Sequence, residues 1–263
     1  MRIFLIGGNH PRHLYFINKI QTAFDISGVI IQNRENVVPQ PPENIEDVDR
    51  KNFIKHFSNR VLAEKKFFGN PSLPNCKTHI VTSDTLNSQK SLNFIKSINP
   101  DIVLIFGSDL IKDPLLSVLP KQTINLHLGI SPRYRGAATL FWPFYFLEPN
   151  YAGSTFHYII SEPDAGDIIH QCVPTLDSSD GIHDVACKTV ITATNESINL
   201  LDILEKGRKW ISHKQKGTGK NFLDSDFKPE HLRLIYNTFN DNITDSYLQG
   251  KLNSKSPNLI RQF

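Results

Sequence analysis

The chain has 263 residues, 39% hydrophobic and 21% charged, enough to bury one large α/β core with at most a small appendage. No apolar run approaches the roughly 18 residues needed to span a bilayer, and a net charge of +3 gives little reason to expect nucleic acid as a partner. Cys76, Cys172 and Cys187 lie far apart with no C-x-x-C pair, which suggests neither a disulfide framework nor a zinc site and fits a reducing cytoplasm.

Residues 1–8, Met-Arg-Ile-Phe-Leu-Ile-Gly-Gly, are apolar for too short a stretch to be a signal peptide and read as a first buried strand. Short apolar runs then alternate with segments of helical period, the pattern of βαβ units with helices on both sheet faces. Strands are predicted over 3–6, 26–31, 77–82, 101–106 and 123–128, and helices over 12–24, 48–68, 85–98 and 110–118. Three prolines within 38–42 make that stretch a connecting loop. Beyond Gly136 the pattern predicts a short helix over 137–147, strands over 153–160 and 167–173, and a long amphipathic helix over 184–204 that stops at Gly207. The fold class is therefore α/β, a Rossmann-like, mainly parallel twisted sheet over 1–207 followed by a short extension over 208–263. That extension carries Gly217-Thr218-Gly219, a helical piece over 229–239 and a polar end expected to be loosely held. Lys206, Arg208, Lys209, Lys214, Lys216 and Lys220 read as a solvated loop, with a phosphate-binding surface as the alternative.

Three short segments carry chemistry. In Thr123-Ile124-Asn125-Leu126-His127, strand alternation puts Asn125 and His127 on one face, at the carboxyl end of a parallel strand where open α/β sheets collect ligands. A strand-end position leads us to expect His127 to face solvent, although a histidine in a strand is also commonly structural. The segment 129–136, Gly-Ile-Ser-Pro-Arg-Tyr-Arg-Gly, reads as a loop whose arginines suit an anionic substrate. The segment 161–167, Ser-Glu-Pro-Asp-Ala-Gly-Asp, is a turn between strands that leaves Asp164 free to point inward, unless it is plain turn chemistry.

Together, Ile124-Asn125-Leu126-His127, the Pro132 to Gly136 loop, Thr155-Phe156-His157 and Asp164-Ala165-Gly166-Asp167-Ile168-Ile169 resemble the folate-dependent formyltransferases. The match is specific over about 100–173, general over 1–205, and absent from the last segment. The resemblance implies formyl transfer from 10-formyltetrahydrofolate to an amine without a metal. Asn125 and His127 would serve the developing oxyanion and the proton, and Asp164 would orient the imidazole. It also implies that the pterin is received by Phe106, Gly107, Ser108 and Leu110, with Pro163 and Asp164 as the opposite wall.

Departures from the better-known members narrow the acceptor. Residues 208–263 are too few for the further β-barrel of the methionyl-tRNA enzymes, and Gly7-Gly8-Asn9-His10-Pro11-Arg12-His13 replaces the glycine- and serine-rich phosphate loop of the glycinamide ribonucleotide enzymes. The chain looks most like the nucleotide-sugar N-formyltransferases, which formylate an amino dideoxy sugar for surface polysaccharide. The small-molecule partners implied are folate and a nucleotide sugar, and the expected assembly is a homodimer. Gly8, Asn9, His10, Arg12, Arg133, Tyr134 and Arg135 are the expected acceptor-binding residues, with Trp142, Tyr145 or Trp210 available to stack on a base. The alternatives are glycinamide ribonucleotide, hydroxyornithine or methionyl-tRNA as acceptor, or a noncatalytic folate- or nucleotide-binding relative.

Overall fold

Strand β1 (Ile3–Gly8) is buried along its whole length, and its alternating side chains feed two different cores. Ile3 and Leu5 pack toward the face covered by α1 (Pro11–Ala23), α2 (Asp47–Phe68) and α5 (Ile182–Glu205), with Ile17, Ile20, Phe68 and Leu201. Phe4 and Ile6 point the other way, onto α3 (Gln89–Ile98), where Leu92 and Ile95 close the core. A continuous apolar run thus becomes a central strand because both of its faces are covered.

The computed structural model describes residues 1–34, 38–215 and 219–263. β2 (Ile26–Gln32), β3 (Thr78–Val81), β4 (Ile102–Phe106), β5 (Thr123–His127), β7 (Ser154–Tyr158) and β8 (Ile168–Cys172) join β1 in one seven-stranded sheet of order β3-β2-β1-β4-β5-β7-β8. The four pairings from β3 across to β5 are parallel, and β7 and β8 add antiparallel at that edge. The sheet is Rossmann-like and mainly parallel, as expected. No described helix is long and apolar enough to cross a membrane.

Several expectations need correction. Residues 110–118 are not a helix; they run as turns with one short 3-10 segment, Leu116–Val118. The predicted helix over 137–147 shrinks to α4 (Trp142–Tyr145), whereas the piece over 229–239 is helical as expected, starting as a 3-10 turn at Pro229–His231 and ending as a π-helical turn at Leu234–Thr238. Tyr134–Gly136, read as loop, is a strand, β6, that pairs parallel with β9 (Lys220–Phe222). The chain end is docked rather than loose. Gln171 N–H donates to Ile260 O at 2.7 Å, Gln262 N–H donates to His170 Nδ1 at 3.1 Å, and the Phe263 ring stacks on His170. The reason is that β8 is an edge strand with free backbone groups, which residues 211–213 and 260–262 satisfy. Lys216, Gly217 and Thr218 lie outside the described residues.

Candidate active site

β5 places Asn125 and His127 on one face, and the antiparallel register of β7 sets His157 opposite Asn125 and Thr155 opposite His127. The β7–β8 turn then brings Asp164 over them in left-handed backbone, φ 51°, which aspartate tolerates better than most residues. Asn125 Nδ2 donates to Asp164 Oδ1 at 3.4 Å and faces His157 Nε2 at 3.2 Å, while His127 Nδ1 lies 3.4 Å from Asp164 Oδ2. Gly136 N–H donates to the same carboxylate oxygen at 3.3 Å. Asn125, His127 and Asp164 therefore converge, and His157, for which no role was expected, joins them. The usable signal for His157 was the strand alternation of β7 opposite Asn125.

His127 is not solvent-facing: it is 7% exposed. Its Nε2 lies 3.0 Å from Tyr134 O, so Nε2 carries the proton and donates there, leaving Nδ1 as the atom that faces Asp164. Likewise His157 donates from Nδ1 to Tyr158 O at 2.9 Å, which leaves Nε2 to accept from Asn125. Burial lowers the proton affinity of His127 below that of a free imidazole, with the Asp164 carboxylate opposing the effect and His157 and Arg135 reinforcing it. For Asp164 burial favours the neutral acid, but His127, His157 and the Gly136 N–H outweigh it and bring the carboxyl down to about 2. The arrangement is an ionised carboxylate beside a neutral imidazole with one open nitrogen.

A cavity of about 240 Å³ opens on this cluster, walled by Ser108, Leu110, Pro163, Asp164, Asn125 and His157. Four of the six residues expected to receive the pterin are in its wall. Phe106 and Gly107 are not: Phe106 is 2% exposed and packs edge-on against His13 and Phe16. Gly107, at φ 75°, is where the chain passes the His13 ring, and a side chain there would collide with it. The loop that follows is fixed by Gln32, fully buried at the end of β2. Its Oε1 accepts from Asp109 N–H at 2.7 Å, and its Nε2 donates to the Asp109 carboxylate.

The expected acceptor residues fare differently. Arg12 donates to Glu64 Oε1 at 2.5 Å and to His10 Nδ1 at 3.0 Å, and Asn9 accepts from Arg34 N–H at 3.0 Å. Arg133 forms a forked pair with Glu148 at 2.8 Å for each bond, on the surface. Tyr134 is 2% exposed and gives its hydroxyl proton to Glu148. Of the two loop arginines, only Arg135 faces the cluster, and its buried Nε has no hydrogen-bond partner. Gly8 abuts the His13 ring. Trp142 and Trp210 are core residues, their indole N–H groups bonded to Ala137 O and Leu200 O at 3.0 Å, so they are not free to stack on a base; Tyr145 packs against Trp142 and His231.

Arg12 and Glu64 instead line a second cavity of about 440 Å³, together with His56, Phe57, Phe141 and His183. Thr139 and Leu128 belong to the same wall, and the Thr139 hydroxyl donates to Leu128 O, one residue from His127. Glu64 Oε2 and His183 Nε2 are buried there without hydrogen-bond partners. Burial drives His183 down to about 4, so it is neutral near pH 7.

Comparison with known proteins matches residues 36–199 to the formyl transferase family. Methionyl-tRNA formyltransferase of Sulfurihydrogenibium sp. strain YO3AOP1 is 29% identical over 159 residues, 59% of this chain and 50% of that protein. The chain spans about half the length of such curated relatives. Among solved structures, phosphoribosylglycinamide formyltransferase from Anaplasma phagocytophilum superposes with a TM-score of 0.57 at 16% identity, covering 85% of this chain and 98% of that one. The formyltransferase PseJ from Anoxybacillus kamchatkensis, solved with UDP-4,6-dideoxy-4-formamido-L-AltNAc and tetrahydrofolate, superposes with a TM-score of 0.51 at 18% identity, covering 93% and 97%. With a family match over more than half its length, the chain belongs to the formyl transferase family.

Proposed function

We propose that this chain transfers the formyl group of 10-formyltetrahydrofolate to the amino group of a nucleotide-linked amino sugar, of the dTDP-4-amino-4,6-dideoxyhexose type. The observation that carries the reading is the convergence of Asn125, His127 and Asp164, with Asn125 and Asp164 in the wall of the 240 Å³ cavity and His127 behind them against Asp164. When an amine adds to a formyl carbon, charge develops on the formyl oxygen and the attacking nitrogen must lose a proton. His127 Nδ1, open in the neutral imidazole, can take up the nitrogen's proton through a water held by Asp164, and the imidazolium so formed, steadied by the Asp164 carboxylate, joins Asn125 Nδ2 as a donor to that oxygen. Collapse back to a carbonyl breaks the bond to the folate nitrogen, which needs a proton that His127 Nδ1 can return. Donors of this kind typically contribute about 100-fold to 1,000-fold each.

For the acceptor, the Anoxybacillus kamchatkensis protein holds a nucleotide-linked formamido sugar and tetrahydrofolate, and the reading brings those two chemical classes to this chain. The larger cavity is suited to a bulky acceptor with a ring, since its walls are aromatic and its unpaired Glu64 and His183 atoms offer hydrogen-bonding sites. The test is incubation with 10-formyltetrahydrofolate and a panel of amino-sugar nucleotides, glycinamide ribonucleotide and hydroxyornithine, following products by mass spectrometry. A formyl mass increment on an amino-sugar nucleotide alone supports the reading; an increment on glycinamide ribonucleotide alone replaces it.

A further inference from the structure

Asp164 sits in left-handed backbone at the tip of a turn, a conformation that persists only where neighbours hold it. Two of the groups that hold it depend on residues 213–215 and 220–222, far along the chain. His213 and Ile168 exchange backbone hydrogen bonds, each 2.8 Å, which moors the late segment to the first residue of β8. Two residues on, Gln215 turns its side chain onto the β7–β8 turn, and Nε2 donates to Asp164 O at 2.7 Å and to Gly166 O at 2.8 Å. The chain then reaches β9, which pairs with β6, and Ala137 N–H donates to Phe222 O at 2.7 Å. That pairing braces Gly136, whose N–H meets the Asp164 carboxylate; at φ 84°, with Phe222 O against its Cα, Gly136 leaves no room for a side chain.

We infer that Gln215 is a positioning residue for the reaction: by clamping the carbonyls of Asp164 and Gly166 it sets the separation between the Asp164 carboxylate and His127 Nδ1. Residues 208–263 then complete the active site instead of merely extending the chain. The inference rests on the proposed role of Asp164 as the acidic member of the site. Both Nε2 hydrogens are used on the two carbonyls, so the amide's orientation is fixed, while Oε1 is buried without a partner. A buried unmet acceptor is a cost that simple packing would remove, and it is tolerated here because only the amine end of the group serves the turn. The charged and titratable groups facing His127 are Asp164 from the turn, His157 from β7 and Arg135 from β6, and Gln215 adds none of its own.

The test combines kinetics with the imidazole titration of His127, followed by NMR in the substrate-free protein. Gln215→Ala is expected to lower kcat about 10-fold to 100-fold with both KM values within about twofold, because a small misplacement of a reacting group costs rate more than binding. Releasing the carboxylate weakens its support of imidazolium, so the His127 titration should move to lower pH by about half a unit or more. Gln215→Lys keeps donors for both carbonyls and should recover kcat to within about threefold of wild type. The titration needs no acceptor, so it reports on Gln215 even where no amine in the panel is formylated. An alanine variant that titrates like wild type, or a lysine variant as impaired as the alanine one, overturns the assignment.

Discussion

The two cavities beside β5 treat their polar groups in opposite ways. At the smaller, Asn125, His127, His157 and Asp164 hydrogen-bond or pair with one another and with Gly136 and Tyr134, so the cluster is set before any ligand arrives. At the larger, aromatic rings make much of the wall, and Glu64 Oε2 and His183 Nε2 are buried without a partner. Buried polar atoms are normally paired, so on the proposed function the unmet ones in this cavity wall are the places where the acceptor's own groups would complete the bonding. The contrast separates a region built to hold geometry from a region built to be filled.

Breaking the first region should give the largest effects. His127→Ala is expected to lower kcat by about 100-fold or more, measured at saturating folate and acceptor. Because His127 is buried and donates to Tyr134 O, the same change should also cost about 1–3 kcal/mol of stability, read as a lower thermal midpoint. Retention of a tenth of wild-type turnover would remove His127 from the chemistry. Asp164→Asn should reduce kcat by roughly 100-fold with little change in either KM. Its pH profile adds a sign: the carboxylate favours protonated His127, so its loss moves the His127 limb to lower pH, and an unmoved limb would show that the acidic member of the site lies elsewhere.

Effects in the filled region should be smaller and confined to binding. Glu64→Gln removes a charge whose second oxygen faces the larger cavity, and the expectation is a rise of about threefold to tenfold in acceptor KM with folate KM unchanged. A rise in folate KM alone would exchange the roles of the two cavities. Smallest of all, Leu110→Ala trims one wall of the 240 Å³ cavity and should raise folate KM about threefold while leaving kcat intact, as lost apolar contact at a half-open wall predicts.

Chain-local physics made much of this readable. Apolar runs with interposed helical period gave the strands and helices flanking β1, β2, β4 and β5. Alternation put Asn125 and His127 on one face, and the resemblance supplied Asp164. The missed parts involve partners that no local pattern can specify. The Arg12–Glu64 pair spans 52 residues, the Arg133–Glu148 pair 15, and the Gln215–Asp164 contact 51. An arginine in a loop looks the same in sequence whether an acid has claimed it or not, so Arg12 and Arg133 read as anion binders until packing brought Glu64 and Glu148 to them. His157 needed the antiparallel register of β7 on β5, and the docked chain end needed the exposed edge of β8. Backbone periodicity is set by neighbours one to four residues away and is therefore written in the sequence. The pairing of side chains across the fold is decided by which surfaces must be buried together, and that belongs to the tertiary structure alone.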